Sequence, residues 1–297
     1  WIKSRNNPQN NYLVDSVRGG TSLLQSNITN AESIYSTPAW IISFNSNGFT
    51  TSTDSLVSTG YTYVGWQWRA SNTTAVTNTA GSITSTVSAN TTAGFSIVTY
   101  TGNGTAGATI GHGLGAVPTL IIVKNRSSAQ NWLVYSAVYG ANMYGYLNLT
   151  NAWATDTTGF NNVTPTSTVF SVGTALETNG STNNLVAYCF TPIAGYSAFG
   201  SYTGNGSADG PFIYTGFRPK FILHKCSSNA GDGWLMYDTV RQTYNVVGAY
   251  LQPNLSNAEG NTTVLDILSN GFKLRSTFSS TNASGYTYIY MAFAENP

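Results

Sequence analysis

Short apolar segments separated by Gly- and Asn-containing turns run along the whole chain. Residues 120–123 form a continuous apolar run, which is typical of a strand covered on both faces. Residues 286–293 alternate instead, so Ile289, Met291 and Phe293 share one face of a predicted strand and three tyrosines share the other. We expect the Ile/Met/Phe face to lie in the core and the tyrosine face to be half exposed or covered by a neighbour. Such strands, without a helical period, indicate antiparallel sandwiches.

One block of this pattern occurs three times. Residues 202–206 repeat the Tyr-Thr-Gly-Asn-Gly of residues 100–104, and residues 250–259 resemble residues 146–153 and 26–32. Self-similarity at a fixed spacing indicates copies of one structural unit, and this repeat determines the architecture. The predicted units are unit 1 (residues 1–70), unit 2 (residues 95–190) and unit 3 (residues 195–297).

Unit 1 opens part-way through the repeat. Residues 1–6 align with residues 122–127 of unit 2, so unit 1 lacks the opening third of the pattern, about 30 residues by comparison with the other copies. We therefore expect the chain to be a fragment, or the ordered part, of a longer protein.

Residues 71–94 differ from the three units. They are almost entirely Thr, Ser, Asn, Ala, Val and Gly, and they carry no charge. Because such a segment has little to bury, we predict a linker. In the alternative, it is an extended surface ribbon in which Ile83 and Val87 pair at a sheet edge.

The composition narrows the function classes. Charged residues make up 8% of the chain and the formal net charge is +1, so the sequence has no electrostatic footprint for nucleic acid. No apolar run approaches the ~20 residues of a membrane span. The Cys and His spacings do not suit zinc, and we expect no cofactor. The abundance of Thr, Ser, Asn, Gly and Tyr is typical of extracellular or virion β-proteins.

A charged triad recurs at matching positions of the repeat in two of the three units. The triads are Asp15, Arg18 and Glu32 in unit 1, and Asp238, Arg241 and Glu259 in unit 3. Unit 2 has Ser136, Tyr139 and Trp153 at these positions. We predict that each triad is a local charge-paired network beside a turn, because losing one member strands the others. The alternative, a paired-carboxylate glycosidase site, is less favoured because the set is duplicated and then absent from unit 2.

Six tryptophans are candidate sugar-binding groups if exposed: Trp40, Trp66, Trp68, Trp132, Trp153 and Trp234. Trp132 and Trp234 occupy equivalent strand positions, so we expect them to pack in the core. Trp153 has no aromatic counterpart in the other units. We therefore predict Trp153 as the surface aromatic.

The repeated segments resemble a known but uncharacterised repeat domain. The similarity is carried by residues 124–127, 146–151, 200–219 and 253–259. The domain is frequent in tailed phages of marine bacteria, including cyanophages, in proteins usually labelled tail fibre, appendage or virion structural protein. The resemblance covers most of the chain, is strongest in unit 3 and excludes residues 71–94. It implies a particle-surface role, and it supplies no active-site residues.

These observations predict an all-β chain of tandem antiparallel, jelly-roll-like sandwiches. We expect a non-enzymatic protein of the bacteriophage virion surface: a fibre, a spike or a capsid-decorating appendage. Its expected partners are further copies of itself (a trimer is one form), other virion proteins and a host surface glycan, without nucleic acid or membrane insertion. The alternatives are a carbohydrate-binding adhesin module and a bacterial extracellular filament protein; a depolymerase ranks last.

Overall fold

The computed structural model describes residues 1–35, 40–52, 57–71 and 73–296. These residues form several antiparallel sheets and two helices of four residues each, so the predicted all-β sandwich class is confirmed.

The described residues of unit 1 form seven strands in two sheets. The strands are β1 (Ile2–Ser4), β2 (Tyr12–Leu13), β3 (Ser22–Gln25), β4 (Ser33–Ile34), β5 (Ile41–Asn45), β6 (Gly48–Thr51) and β7 (Tyr63–Gly65). In each unit we call the sheet that contains the last strand, the closing strand, the inner sheet, and the other the outer sheet. In unit 1 the inner sheet has the order β4-β3-β2-β1-β7, and the hairpin β5–β6 forms the outer sheet.

Residues 71–94 do not form a linker. They carry β8 (Val76–Asn78) and β9 (Ser85–Asn90), and β9 pairs with the first strand of unit 2, β10 (Phe95–Thr101), over six consecutive residues. Ile83 and Val87 are buried in the core of unit 2 together with Val98. The linker prediction is wrong because two apolar side chains are enough to attach this ribbon to a sheet edge.

Unit 2 continues with six strands, one helix and a closing strand. These are β11 (Ala108–Gly111), β12 (Leu120–Asn125), β13 (Trp132–Ser136), β14 (Met143–Tyr146), β15 (Ala154–Thr155), β16 (Val169–Val172), α1 (Leu176–Asn179) and β17 (Asn184–Phe190). The inner sheet has the order β15-β14-β13-β12-β17-β10-β9-β8, and β11 pairs with β16 in the outer sheet.

Unit 3 is built from two four-stranded sheets. Its elements are β18 (Ser197–Thr203), β19 (Phe212–Tyr214), β20 (Phe221–Cys226), β21 (Trp234–Asp238), β22 (Val247–Tyr250), β23 (Gly260–Leu268), β24 (Gly271–Leu274), α2 (Ser279–Asn282) and β25 (Thr287–Phe293). The orders are β18-β25-β20-β21 in the inner sheet and β19-β24-β23-β22 in the outer sheet. Neither helix of the described residues is long enough to cross a bilayer.

The closing strand of each unit pairs with an inner strand in the same register. A lysine of that inner strand lies opposite an aliphatic residue of the closing strand. The pairs are Lys3 with Val64, Lys124 with Val186, and Lys225 with Ile289. The sequence repeat is therefore a structural repeat at single-residue resolution.

The inner sheets of all three units meet in one shared apolar core. Leu13 and Trp66 of unit 1 lie in the same buried cluster as Val186 of unit 2 and Leu223 of unit 3. Unit 2 and unit 3 each have a second core between their own two sheets. The units therefore pack together as one body, because each inner sheet needs the other two units to cover it.

The closing strand of unit 3 shows how the two faces are used. Ile289, Met291 and Phe293 lie in the shared core, as predicted. Tyr288 is fully buried, and Tyr290 is partly buried against the core between the two sheets of unit 3. The tyrosine face is thus covered by its own unit, because the outer sheet packs on it.

Candidate functional site

Equivalent lysines cross from each unit into the next. They are Lys3, Lys124 and Lys225. The Nζ atom of the unit 2 lysine donates to the carbonyl oxygen of Thr29 in unit 1 at 2.8 Å, and that of unit 1 donates to Ser256 in unit 3 at 2.8 Å. The unit 3 lysine donates to Thr150 in unit 2 at 3.3 Å. The three contacts therefore close a ring with a pseudo-threefold axis.

These lysines are buried and titrate at unusual values. Burial lowers the pKa of Lys3, Lys124 and Lys225 to about 8 in each case. Each ammonium group also donates to a carbonyl oxygen of its own unit, at Gln9, Gln130 and Cys226. A buried charge is tolerated only where its donors are satisfied, so each lysine ties two units together through backbone acceptors.

The junction between units 1 and 2 is the first charged junction. Arg18 lies 2.6 Å (Nε) from Asp15 Oδ2 and 2.7 Å (Nη1) from Glu32 Oε1. Unit 2 completes the set: the Tyr188 hydroxyl donates to Asp15 at 2.9 Å, and Arg126 Nη2 lies 2.7 Å from Glu32 Oε2. The structure brings the predicted triad together, but the network extends beyond one turn into the next unit.

The junction between units 3 and 1 is the second charged junction. Arg241 lies 2.6 Å (Nε) from Asp238 Oδ2 and 2.8 Å (Nη1) from Glu259 Oε2. From unit 1, the Trp66 indole donates to Asp238 at 3.0 Å, and Arg5 contacts both carboxylate oxygens of Glu259 at 2.9 and 3.0 Å. The same contacts occur in the two charged junctions, so the duplicated triad joins units.

One carboxylate of each charged junction has a lowered pKa, which favours its ionised form. Burial acts to raise the pKa of Asp15, but the charge and hydrogen bonds of Arg18 and the hydroxyl of Tyr188 outweigh it and lower the pKa. Burial likewise acts to raise the pKa of Glu259, and Arg5 with Arg241 outweighs it. A catalytic acid must carry a proton near the working pH. Both carboxylates are instead tuned for ion pairing.

The junction between units 2 and 3 is the aromatic junction. Trp153 takes the position of the two glutamates and stacks on Tyr139 at a ring-centroid distance of 5.6 Å. The Tyr139 hydroxyl lies 2.7 Å from the hydroxyl oxygen of Ser227, which stands where the charged junctions have Arg5 and Arg126. Trp153 is only 7% exposed. The prediction of a surface aromatic is wrong, because the side chain fills a junction between two units.

The predicted core tryptophans also join units. The Trp132 indole donates to the Gln25 carbonyl oxygen of unit 1 at 3.1 Å, and the Trp234 indole donates to the Tyr146 carbonyl oxygen of unit 2 at 2.8 Å. Asn11 takes this role in unit 1, and its amide donates to Leu255 of unit 3 at 2.8 Å. Core packing was correctly predicted; the indole contacts across units were not.

A cavity of about 830 Å³ opens beside unit 1. The hairpin β5–β6 and residues 66–71 form its sides, with Phe44, Trp66 and Trp68 among the aromatic groups, and the shared core forms its floor. Asp15 reaches the cavity, but Arg18 binds its carboxylate. Among the described residues, no cluster of His, Cys, Asp and Glu could hold a metal ion. The cavity therefore offers apolar surface and aromatic rings.

The comparison with known families covers the whole chain. Residues 1–297 match the sequence model of a family described as a domain of unknown function, DUF7483. The chain belongs to the DUF7483 family. No curated protein and no solved structure matches the chain. Membership in DUF7483 assigns no activity, so the function has to be argued from the fold.

One signal in this DUF7483 sequence would have revealed the junctions. Unit 2 lacks the triad, and unit 3 lacks the residues that would contact it. Ser227 stands in place of the arginine, and Met291 occupies the strand position of Tyr188 and Trp66. Both sides of this junction thus differ from their counterparts in the other two junctions. The triads by themselves predict a charge-paired network within each unit.

Proposed function

We propose that this DUF7483 chain is a non-enzymatic structural protein of the bacteriophage virion surface: a fibre, a spike or a capsid-decorating appendage. The phage assignment rests on the resemblance of its repeats to the marine-phage repeat domain. The structural role is supported by the ring of three units, in which the singled-out charged residues hold units together. We include self-association and contacts with other virion proteins in this proposal.

The shape of the ring refines the proposal. Tandem units arranged end to end would add length, whereas three units closed around one core add rigidity. Small domains bury a limited fraction of their surface, and sharing a core raises that fraction. A compact block supports a spike or a decorating appendage better than a spacer within a long fibre. The low charge of the chain also lets its surface pack against other proteins with little desolvation.

The burial of Trp153 removes the argument for a carbohydrate-binding module that rested on this residue. The glycosidase alternative is weakened in the same way, because Arg18 and Arg241 already bind the acids that it would need.

Electron microscopy of purified phage particles with antibodies raised against the chain tests the proposal. We expect the label on the particle surface and the chain in the mass spectrum of washed particles. A chain found only in lysate, or on bacterial filaments, would contradict the proposal. Release of reducing sugar from host polysaccharide by the purified chain would contradict the non-enzymatic part.

A further inference from the structure

The closing strand of unit 1 has an open edge that its counterparts lack. In unit 2, β17 pairs with β12 on one side and with β10 on the other. In unit 3, β25 pairs in the same way with β20 and β18. In unit 1, β7 pairs with β1, and no strand of the described residues pairs with its other edge.

The backbone groups on this open edge can be assigned. The Trp66 amide donates to the Trp1 carbonyl oxygen at 2.8 Å, so residue 66 faces β1. Because N–H and C=O groups alternate in direction along a strand, those of Tyr63, Gly65 and Gln67 face the open edge. Gly65 and Gln67 are exposed, whereas Ala187 and Cys189, their counterparts in unit 2, are fully buried. An edge of this kind is a template for another strand.

The outer sheet of unit 1 is open at the same place. Residues 47–49 repeat the Asn-Gly-Phe of residues 270–272, which makes β6 the counterpart of β24. In unit 3, β24 pairs with β19 through Ile213 and Phe272. In the described part of unit 1, β6 pairs with β5 alone. Within residues 1–35, 40–52 and 57–70, unit 1 thus lacks partners at the positions of β10/β18 and β11/β19.

The cavity of about 830 Å³ is lined by Gly48 and Phe49 of β6 and by residues 66–71, which directly follow β7. In unit 2, the second partner of the closing strand is β10, which places Phe95 and Ile97 in the shared core. In unit 3 this partner is β18, and its Phe199 packs against that core. By register, Ile97 lies opposite Tyr188 and Phe95 opposite Phe190. Trp66 and Trp68 of unit 1 occupy the positions of Tyr188 and Phe190, and both line the cavity.

We propose that the open edge of β7 and this cavity form an acceptor site for an extended strand–turn–strand segment of the same repeat. The segment has the chemistry of residues 95–111: apolar side chains at alternate positions, followed by Tyr-Thr-Gly-Asn-Gly. Its backbone pairs with Tyr63, Gly65 and Gln67, and its apolar side chains fill the cavity. In such strand addition, the backbone bonds supply affinity and the alternating side chains supply specificity. The proposal is independent of the phage assignment.

A synthetic peptide of residues 95–111 added to the full chain tests the site, with hydrogen exchange followed by mass spectrometry. We expect 1:1 binding, and slower exchange of the amides in residues 62–71 than in the free chain. Gln67→Pro removes an open-edge N–H without touching the pairs with β1, and it should weaken binding about tenfold, the effect of one lost hydrogen bond. Gln67→Ala keeps that N–H and should bind as the unmodified chain does.

The peptide itself supplies a second control that does not depend on the folding of a variant. A peptide carrying Ile97→Asp puts a charge opposite Trp66, and it should neither bind nor slow exchange. Equal binding of both peptides, no change in exchange at saturating peptide, or equal affinities of Gln67→Pro and Gln67→Ala would overturn the proposal. Slower exchange on raising the protein concentration alone would assign the edge to a second copy and overturn the proposed occupant.

Discussion

The charged and aromatic junctions join neighbouring units through the same backbone contact but with different side chains. The backbone contact is the same in each: the amides of Glu32, Glu259 and Trp153 donate to carbonyl oxygens of the adjoining unit at 2.9, 2.7 and 2.8 Å. The side chains then differ completely. Two junctions bury arginine–carboxylate networks, whereas the third stacks Trp153 on Tyr139. Backbone and lysine contacts therefore set the geometry, and the side-chain set can vary if it varies as a whole.

The physical reason is the cost of a broken set. A buried ion pair balances a large desolvation penalty against Coulomb attraction and hydrogen bonds, so replacing the entire set by well-packed apolar groups is often neutral. Removing one partner leaves a buried charge without compensation. We accordingly expect single substitutions in a charged junction to cost more than a complete exchange.

The largest expected effect is that of Arg18→Met. It leaves the buried carboxylate of Asp15 without its arginine, and it should lower the free energy of unfolding by about 3–5 kcal/mol. Urea unfolding followed by tryptophan fluorescence measures this. The control is Lys220→Met, which breaks the exposed pair with Glu295 and should cost less than about 1 kcal/mol. Equal effects of the two substitutions would contradict the assignment of the network.

A complete exchange of the first charged junction should be milder than that single substitution. The exchange copies the aromatic junction: Asp15→Ser, Arg18→Tyr, Glu32→Trp, Arg126→Ser and Tyr188→Met. We expect the exchanged chain to unfold within about 2 kcal/mol of the unmodified one, since no buried charge is left unpaired. If it is less stable than Arg18→Met, the two chemistries are not interchangeable at this backbone.

Units 2 and 3 also differ at one pair of equivalent positions that lies outside the junctions. Burial, followed by the charge of Lys225, lowers the pKa of His224 to about 3, and unit 2 has Val123 in its place. The unfolded chain binds a proton below its ordinary pKa of about 6.5, whereas the folded chain does so only near 3. Stability is therefore lost as the pH falls between these values.

His224→Val should flatten this pH dependence. The unmodified chain should lose more stability than the variant between about pH 6.5 and 5, by up to about 1.4 kcal/mol per pH unit. Thermal unfolding at several pH values measures the difference, and this range lies above the titration of most carboxylates. Parallel pH profiles of the two chains would show that His224 is not buried in its neutral form.

The smallest expected effect is that of Tyr139→Phe in the aromatic junction. It removes the hydroxyl that lies 2.7 Å from Ser227 while keeping the stack on Trp153, and it should cost about 1 kcal/mol. Tyr214→Phe, at a 67% exposed tyrosine, is the matched control and should change stability by less than about 0.5 kcal/mol. A loss no greater than that of the control would show that the hydroxyl pair contributes nothing.

Strand periodicity can be read from the sequence, whereas the arrangement of the units around one core cannot. The alternation of residues 286–293 and the repeat of Tyr-Thr-Gly-Asn-Gly were readable, because strand periodicity and repeats are local signals. The same apolar inner faces would suit separate sandwiches or one closed ring, since alternation does not say which neighbour covers a face. Trp153 was misplaced for this reason: its covering groups come from unit 3 as well as unit 2. Residues 71–94 were misassigned because their few apolar side chains are diluted by Thr and Ser.

The central claim is that the three units share one core and fold as one body. Hydrogen exchange along a urea titration reports the unfolding of each unit separately, and Arg18→Met perturbs only the junction between units 1 and 2. If the claim holds, the midpoints of units 1, 2 and 3 coincide and move together to lower urea in the variant. A shift confined to unit 1, with units 2 and 3 keeping their original midpoints, would contradict it.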